Sequence, residues 1–395
     1  MRNVFRNRRH SLFALASIAM GATGLLVFMG FNRGTMDQYR SDTVRSRWGH
    51  GQLYVRGYRD SAYTRPWEKW IEDSEAVMQR VRQLPEVVDV FPRVGIPAVL
   101  VAGDRTVAGQ GEGVDGVREA RFFDQLNYIE GGDFKDHPSG IVMGQGIAEA
   151  LGVRVGDDVQ VVTGSGNMPI RRVTVSVTGV FRTGIQEFDS RAFRIPLAVA
   201  QGLLRTDRVE ALAIALSGST AWPAFAKAAR TALPELEAVP FDELDKVYYR
   251  HAVDWLDAQF AFIKSIILFM VFLGILNAVS MTVVERTAEI GMLRANGESR
   301  IEIAITHVVE AAALGLLGGC LGLLSGWALA LGPLRHGIAM PPAPGLTRGL
   351  RIVIALGFHD ALEVLTLCIV TSIAGCLLPV WRTTRIPIAQ ALRHA

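Results

Sequence analysis

The chain is poor in lysine, cysteine and histidine, and each shortage excludes a class of chemistry. Only five of its 41 basic residues are lysine, and none of the five follows a glycine. A Walker A phosphate loop needs a Gly-Lys pair, so the chain contains none, and we expect any ATP that serves this protein to be bound by another subunit. Cys320, Cys368 and Cys376 all fall in long apolar runs. The polar part of the chain therefore holds neither a disulfide nor a thiolate metal site.

Catalytic signatures are also absent from the sequence. His50, His137 and His251 are too widely spaced for paired metal ligands, and neither G-x-S-x-G nor H-E-x-x-H occurs. We therefore predict no catalytic residue, no metal site and no bound cofactor. Because the formal net charge is only +3, we expect no nucleic-acid partner.

What the chain does contain is four long uncharged runs, at residues 11–31, 265–284, 311–334 and 364–381. A helix of roughly 20 apolar residues crosses the hydrocarbon core of a membrane, and the last run reaches that length once residues from 352 to 363 are added. Backbone groups in lipid must be satisfied internally, which requires helices. We predict a membrane α-helical fold with four transmembrane helices and a large α+β extracytoplasmic domain between helices 1 and 2.

The distribution of arginine orients these spans. Four arginines lie within residues 1–10, ahead of the first run, and no small-residue cleavage site follows it. We therefore predict an uncleaved anchor with its N-terminus in the cytoplasm. The predicted segments are a cytoplasmic N-terminus (1–10), helix 1 (11–31), the extracytoplasmic domain (32–259), helix 2 (260–284), a cytoplasmic segment (285–302), helix 3 (303–334), an outer loop (335–357), helix 4 (358–381) and a cytoplasmic tail (382–395).

Two similar β-α-β patterns bracket the extracytoplasmic domain. The first is a strand at 52–58, a helix at 64–84 and a strand at 87–94; the second is a strand at 210–216, a helix at 220–233 and a strand at 236–241. We predict that 36–95 and 209–258 form one split βαβ subdomain, rejoined in space around a strand-rich insertion at 96–208.

Within that insertion, Val173, Val175 and Val177 alternate as in a half-buried strand. The glycines of "GQGEGVDG" and "GSGNMP" do not open a helix after a strand, so we interpret them as turn glycines rather than a phosphate loop.

The segment after the second span contains the most specific sequence motif in the chain. It reads "ERTAEIGMLRANGESRIEI" and predicts a short amphipathic helix, residues 285–295, that ends at Asn296-Gly297. It closely resembles the segment that, in the FtsX and MacB superfamily of ABC transporter permeases, lies between the second and third spans and couples to the ATPase. The terminal "PVWRTTRIPIAQALRH" extends the resemblance. In the large domain, "IVMGQGIAEALGVRVGDDV" and "FRTGIQEFDSRAFRIPLAVAQGLL" are similar to the lipoprotein-releasing (LolC and LolE type) permeases.

The resemblance implies a permease of the bacterial inner membrane, with both termini cytoplasmic. It implies a cytoplasmic ABC ATPase dimer that binds the ATP and a second permease copy, identical or not. The movement of the outer domain would be driven by mechanotransmission. A lipoprotein or lipid is the implied cargo; a MacB-like tripartite efflux permease and an FtsX-like signalling module are the alternatives. The implied ATPase-coupling residues are Glu285, Glu289, Ile290, Gly291, Leu293, Arg294 and Gly297.

Two further sets of residues stand out inside the predicted spans. Glycines at small-xxx-small spacing permit close helix packing, within the chain or with a second copy; they are Gly315, Gly318, Gly319, Gly322 and Gly326. Deformable apolar side chains in helices 1 and 2 either line a cargo cleft or simply face lipid; they are Phe28, Met29, Phe31, Phe262, Phe269 and Met270. Glu310, at membrane depth, is either functional, or its side chain reaches the membrane interface or pairs locally.

Overall fold

The computed structural model describes residues 8–61, 66–164, 170–183, 186–246, 250–285, 292–341 and 350–383. The chain forms two compact units. The first, which we call the membrane unit, comprises residues 1–38, 253–339 and 351–395, and the second, the large domain, comprises 39–252 and 340–350.

The described residues form the following elements. The helices are α1 Arg8–Thr43, α2 Tyr58–Ser61, α3 Ser74–Arg82, α4 Gly116–Glu119, α5 Gln145–Leu151, α6 Gln186–Asp189, α7 Leu197–Leu204, α8 Trp222–Ala232, α9 Phe241–Leu244, α10 His251–Glu285, α11 Arg300–Leu331 and α12 Phe358–Thr383. The strands are β1 Gly51–Val55, β2 Val87–Ala102, β3 Arg105–Val114, β4 Tyr128–Gly131, β5 Gly140–Gly144, β6 Asp158–Thr163, β7 Arg171–Phe181, β8 Ala192–Pro196, β9 Ala211–Leu216, β10 Leu236–Pro240, β11 Ile338–Met340 and β12 Leu350–Ile352. A π-helical turn, Val44–Trp48, follows α1.

Four helices in the described part of the chain are long and apolar enough to cross a membrane. Each predicted span overlaps one of them, although the predicted helix 3 (303–334) runs three residues past the end of α11 at Leu331. Two extend well beyond the apolar runs that identified them. α1 has 36 residues and α10 has 35, which at about 1.5 Å per residue is roughly 50 Å, against a hydrocarbon core of about 30 Å. Hydrophobicity shows where a helix can meet lipid but not where it ends, so the sequence did not predict the polar extensions.

Four strands of the large domain form an antiparallel sheet in the order β10-β1-β9-β2. With α3 and α8 as crossover helices, this is a βαββαβ unit interrupted between β2 and β9. Its core contains buried side chains from strands and helices, among them Leu53, Val81, Ile214, Phe225 and Val239.

The chain between β2 and β9 closes into a six-stranded barrel. Strand pairing runs β2-β3-β8-β5-β7-β6, and β6 also pairs with β2, which completes the ring. The 16-residue β2 serves both parts, because its first half pairs with β9 and its second half with β3 and β6. Val175 and Val177 of β7 are buried in the barrel core, as their alternation predicts.

The predicted helix at 64–84 is wrong over its first half. Among the described residues 66–84, only α3 is α-helical. Asp73, which accepts a hydrogen bond from Ala76 N at 3.3 Å, caps its start with a left-handed backbone (φ 45°). Trp70 and Ile71 are buried, and Ile71 forms a β-bridge with Val209. Both side chains belong to the core of the four-stranded sheet, and the helical spacing of these apolar residues was coincidental.

The interpretation of "GQGEGVDG" as turn glycines is also wrong. Gly109, Gly111 and Gly113 lie within β3. A Cβ atom at Gly109 would lie 2.9 Å from Phe193 Cδ1, and one at Gly111 would overlap the same ring. These glycines therefore make room for a phenylalanine inside the barrel. Of "GSGNMP", residues 165–169 lie outside the described residues.

Candidate functional site

The predicted ATPase-coupling segment is described only in part. Glu289, Ile290 and Gly291 lie outside the described residues, and Glu285 is the last residue of α10. Residues 292–295 are helical. Gly297 has a φ of 97°, the left-handed conformation that the sequence predicts for the residue ending this helix.

The described part of this segment presents a polar and an apolar side. Leu293 is 39% exposed and its neighbour Met292 is 56% exposed, whereas Arg294 is half-buried. An exposed apolar pair on a short helix is suited to docking in a groove of another protein.

A capping box, which was not predicted from the sequence, fixes the start of α11 directly after this segment. Ser299 Oγ accepts a hydrogen bond from Glu302 N at 3.2 Å, and Glu302 Oε2 accepts one from Ser299 N at 2.8 Å. The S-x-x-E pattern was the available signal. The box makes a defined helix start two residues after Gly297.

The five predicted packing glycines are all buried on α11, and they face two different helices. Gly318, Gly322 and Gly326 face α1, where an added Cβ would meet the side chains of Ile18, Ala22 and Leu26 respectively. Gly315 and Gly319 face α12: a Cβ at Gly315 would lie 2.8 Å from Ser372 Oγ, and one at Gly319 would lie 2.8 Å from Leu365 Cδ1. The chain itself thus occupies both glycine faces.

Hydroxyl groups join the α1–α11 contact. Thr23 Oγ1 lies 2.5 Å from Ser325 Oγ and donates to the carbonyl oxygen of Gly322 at 3.1 Å. Small and hydroxylated residues at helix contacts are a recurring packing mode in membranes. Thr23 and Ser325 within apolar runs were the signal for this contact.

Two ion pairs tie α12 to α1 and α10. Arg33 Nη2 of α1 lies 2.7 Å from Asp360 Oδ1, and Lys264 of α10 pairs with Glu363. Asp360 Oδ2 also accepts a hydrogen bond from Gly357 N at 3.0 Å. Asp360 and Glu363 are one turn apart, so the beginning of α12 forms ion pairs with both α1 and α10. These pairs were not predicted from the sequence.

The candidate cargo-lining residues fall into two groups that the structure does not bring together. On α1, the Phe28 ring contacts that of Phe260 edge to face, with 6.2 Å between centroids. Met29 packs against the hydrophobic core of the membrane unit, and Phe31 is half-buried. On α10, Phe262, Phe269 and Met270 are 67%, 60% and 66% exposed. Together with Ile266 and Leu273, also exposed, these three form a stripe at helical spacing that we call the α10 stripe.

Glu310 interacts with its own helix. Its Oε2 lies 3.6 Å from Nδ1 of His307, one turn earlier, and the His307 carbonyl oxygen accepts a hydrogen bond from Cys376 Sγ at 3.5 Å. This geometry favours the local-pairing interpretation of Glu310. Among the described residues, no group of His, Cys, Asp and Glu has the arrangement of a metal site.

Comparison with known proteins matches both parts of the chain. The family model described as MacB-like periplasmic core domain matches residues 11–232, and the one described as FtsX-like permease C-terminal matches residues 261–388. Lipoprotein-releasing system transmembrane protein LolC of Neisseria meningitidis is 25% identical over 80% of this chain and 76% of its own length. LolC of Xylella fastidiosa is 24% identical over 97% of this chain and 94% of its own. Among solved structures, the periplasmic region of MacB from Actinobacillus actinomycetemcomitans is 11% identical to this chain. The match covers 50% of this chain and 92% of that structure, with a TM-score of 0.37.

Proposed function

The chain belongs to the FtsX/MacB superfamily of ABC transporter permeases, and from this premise we propose that it extracts lipoproteins or lipids from the inner membrane, driven by ATP that a separate subunit hydrolyses. The observation that carries the proposal is the similarity to LolC over 97% of the chain, which includes the large domain, all four spans and the segment between the second and third. The proposed cargo class is that of these relatives, which are lipoprotein-releasing transmembrane proteins.

The connections between the two units support coupling by movement. The chain passes from one unit to the other at residues 38–39, inside α1, and at residues 252–253, inside α10. A continuous helix transmits displacement and rotation, whereas a flexible linker absorbs them. We therefore propose that a movement of the coupling segment reaches the large domain through α1 and α10.

The packing of α11 supports the same mechanism. With glycine contacts to α1 on one face and to α12 on another, α11 has little freedom to slide past either helix. The ion pairs of α12 add the connection to α10. The four helices would then respond together when the coupling segment between α10 and α11 is displaced.

The α10 stripe is the surface that we propose for the acyl chains of the cargo. Phenylalanine and methionine side chains adapt to apolar partners of variable shape. Exposed apolar side chains on a membrane helix ordinarily contact lipid. We propose that acyl chains of the cargo replace bulk lipid on this stripe at one stage of the ATP cycle.

The partners follow from this function. We propose a cytoplasmic ABC ATPase dimer and a second permease copy, with both termini of this chain in the cytoplasm and the large domain outside. The MacB-like match favours a second candidate function, the export of a soluble substrate through a tripartite conduit.

Reconstitution distinguishes the two functions. The full chain with its ATPase, in proteoliposomes that contain a triacylated lipoprotein, should release that lipoprotein to a soluble acceptor only when ATP is hydrolysed. The chain without the ATPase should hydrolyse no ATP. ATP-driven transport of a soluble peptide without lipoprotein release would contradict the extraction function and favour export.

A further inference from the structure

The end of α1 enters the large domain through a single wide turn. Val44–Trp48 is π-helical, and Gly49 N closes it with a hydrogen bond to Val44 O at 3.0 Å. Gly49 has a φ of 67°, and a Cβ there would lie 2.7 Å from Ile214 O. β1 begins at Gly51, so no flexible segment separates the long helix from the sheet.

Two buried arginines bind successive carbonyl groups of this turn. Arg194 of β8 donates from Nη2 to Ser46 O at 3.0 Å, and Arg93 of β2 donates from Nη1 to Arg47 O. Carbonyl groups at the end of a helix lack helical partners and need donors from elsewhere. Here two different strands supply them, and both donors carry a charge, which strengthens the bonds.

Two carboxylates hold the arginines in place. Glu119 makes a two-bond pair with Arg93, with Oε1 2.8 Å from Nε and Oε2 3.1 Å from Nη2, and both side chains are only 4% exposed. Glu112 Oε2 lies 3.3 Å from Arg194 Nε and 3.5 Å from Arg93 Nη1, so it is shared between the two. We call these four residues and the turn Val44–Trp48 the arginine joint.

The joint is a set of buried charges rather than an apolar contact. Burial alone would raise the pKa of Glu112, but the guanidinium groups around it, Arg93 first, hold that pKa below its usual value. Burial raises the pKa of Glu119, and Arg93 offsets this only in part. Buried charges cost desolvation free energy, and they fix one geometry because each needs its partner.

An exposed ion pair and a stacked arginine also hold the turn. Arg45 binds Asp124 through two hydrogen bonds of 2.8 and 2.6 Å. The Arg47 guanidinium lies 4.1 Å from the ring centroids of both Trp48 and Phe188. Phe188 and Arg194 both belong to the sequence "FRTGIQEFDSRAFRIPLAVAQGLL".

We propose that the arginine joint makes the attachment of α1 to the sheet rigid, so that the large domain follows a displacement of the helix instead of pivoting at its end. Arg93 and Arg194 act as positioning residues, since they hold two backbone carbonyls of the turn. The proposal rests on the proposed function, because ATP-driven movement supplies the displacement. The claim that the attachment is rigid can be tested without ATP or cargo.

The test measures the rigidity of the attachment by electron–electron distance spectroscopy. The full chain is reconstituted in nanodiscs with its ATPase, and Cys320, Cys368 and Cys376 are replaced by alanine. Spin labels are placed at the exposed positions Ser41 of α1 and Asp104 of the β2–β3 turn. We expect one narrow distance distribution, which Arg194→Gln broadens at least twofold. Arg194→Lys retains the charge but not the planar donor pair, and should broaden it less.

A matched control is Arg80→Gln, which removes an exposed pair with Glu235 (3.0 Å) in the same domain. It should leave the distribution unchanged. A thermal unfolding transition close to that of the parent checks that each variant is folded; if Arg194→Gln fails this check, Arg194→Lys carries the test. An equally narrow distribution in a folded Arg194 variant would overturn the proposal.

A second measurement tests transmission. In the Arg194 variant, lipoprotein release per ATP hydrolysed should fall at least tenfold, while the ATPase rate stays within twofold of the parent. A broadened distribution with unchanged release would also overturn the proposal. If the parent chain itself releases no lipoprotein, the extraction function is contradicted. The distance distributions alone then test whether the arginine joint makes the attachment of α1 rigid.

Discussion

Arg33 of α1 and Asp360 in the first turn of α12 form an ion pair in which the carboxylate is almost fully enclosed. The Nη2–Oδ1 distance is 2.7 Å, and the Asp360 side chain is 6% exposed, against 42% for Arg33. The second carboxylate oxygen accepts a hydrogen bond from Gly357 N. One side chain therefore fixes both the start of α12 and its contact with α1.

Asp360→Asn should destabilise the membrane unit by about 1–3 kcal/mol, because the neutral amide loses the charge that pairs with Arg33. The measurement is the free energy of unfolding of the full chain in detergent. Glu363→Gln is the control, since its partner Lys264 and its own carboxylate are both partly exposed, and we expect a loss of at most about 1 kcal/mol. Equal losses in the two variants would contradict the special role of Asp360.

Gly322→Leu should disrupt the α1–α11 contact. An added Cβ at this position would lie 2.6 Å from Ala19 O, a backbone atom that has little room to move, and would overlap Ala22. Overpacking of this kind costs about 1–3 kcal/mol or more, which we expect as a lower unfolding temperature. Gly274→Leu on α10 is the matched control, because no atom lies within 4 Å of its added Cβ. A Gly322 variant as stable as the Gly274 variant would show that the two helices do not pack as described.

His50 should make the large domain sensitive to mild acid. Burial lowers the pKa of His50 to about 4, and its Nδ1 accepts a hydrogen bond from Leu216 N at 3.1 Å. Between pH 6.5 and 4 the unfolded chain takes up a proton that the folded chain does not, so stability falls as the pH falls, by about 3 kcal/mol in total. The unfolding temperature of the full chain in detergent, compared at pH 7.5 and 5, measures this.

His50→Asn is the control for that prediction. Asparagine can accept the same backbone hydrogen bond but does not titrate, so the variant should lose less stability on acidification than the parent. Identical pH dependence in the two chains would show that His50 is not the responsible group.

Glu289→Lys should weaken binding of the ATPase without affecting membrane insertion. The position lies in the sequence that resembles the family's coupling segment, and a short docking helix depends on its polar anchors. We expect co-purification of the ATPase to fall roughly tenfold, which corresponds to about 1.4 kcal/mol. Glu298→Lys makes the same charge change after the helix has ended and should have little effect. Wild-type co-purification and transport in the Glu289 variant would refute the coupling role.

A photo-crosslinker at Phe262 should capture lipoprotein in a nucleotide-dependent manner. Phe262 is 67% exposed on the α10 stripe, whereas Phe28, which the sequence placed in the same set, contacts Phe260 of its own chain. A crosslinker at Phe28 should therefore react mainly within the chain. Leu324 of α11, 69% exposed, is the control and should capture only bulk lipid, with or without ATP. Crosslinks at Phe262 that match those at Leu324 would argue against the α10 stripe as the cargo surface.

Local features of the sequence determined the parts of this protein that depend on local physics. Uncharged runs located the four helices that are long and apolar enough to cross a membrane, because length and apolarity are properties of a continuous stretch of sequence. Alternation located β7, and Asn296-Gly297 located a helix end, because side-chain period and backbone strain are properties of a few consecutive residues.

Tertiary structure decided everything that depends on which distant residues meet. Periodicity shows that a side chain is buried but not what buries it, so Trp70 and Ile71 suggested a helix although they pack against the sheet. Closure of the barrel depends on β6 reaching β2, and the glycines of β3 acquire their role only when Phe193 lies above them. The arginine joint is the clearest case, since Arg93, Glu112, Glu119 and Arg194 come from four different elements, β2, β3, α4 and β8. Charges on separate elements become one network only when the fold buries them together, and no local sequence pattern indicates this.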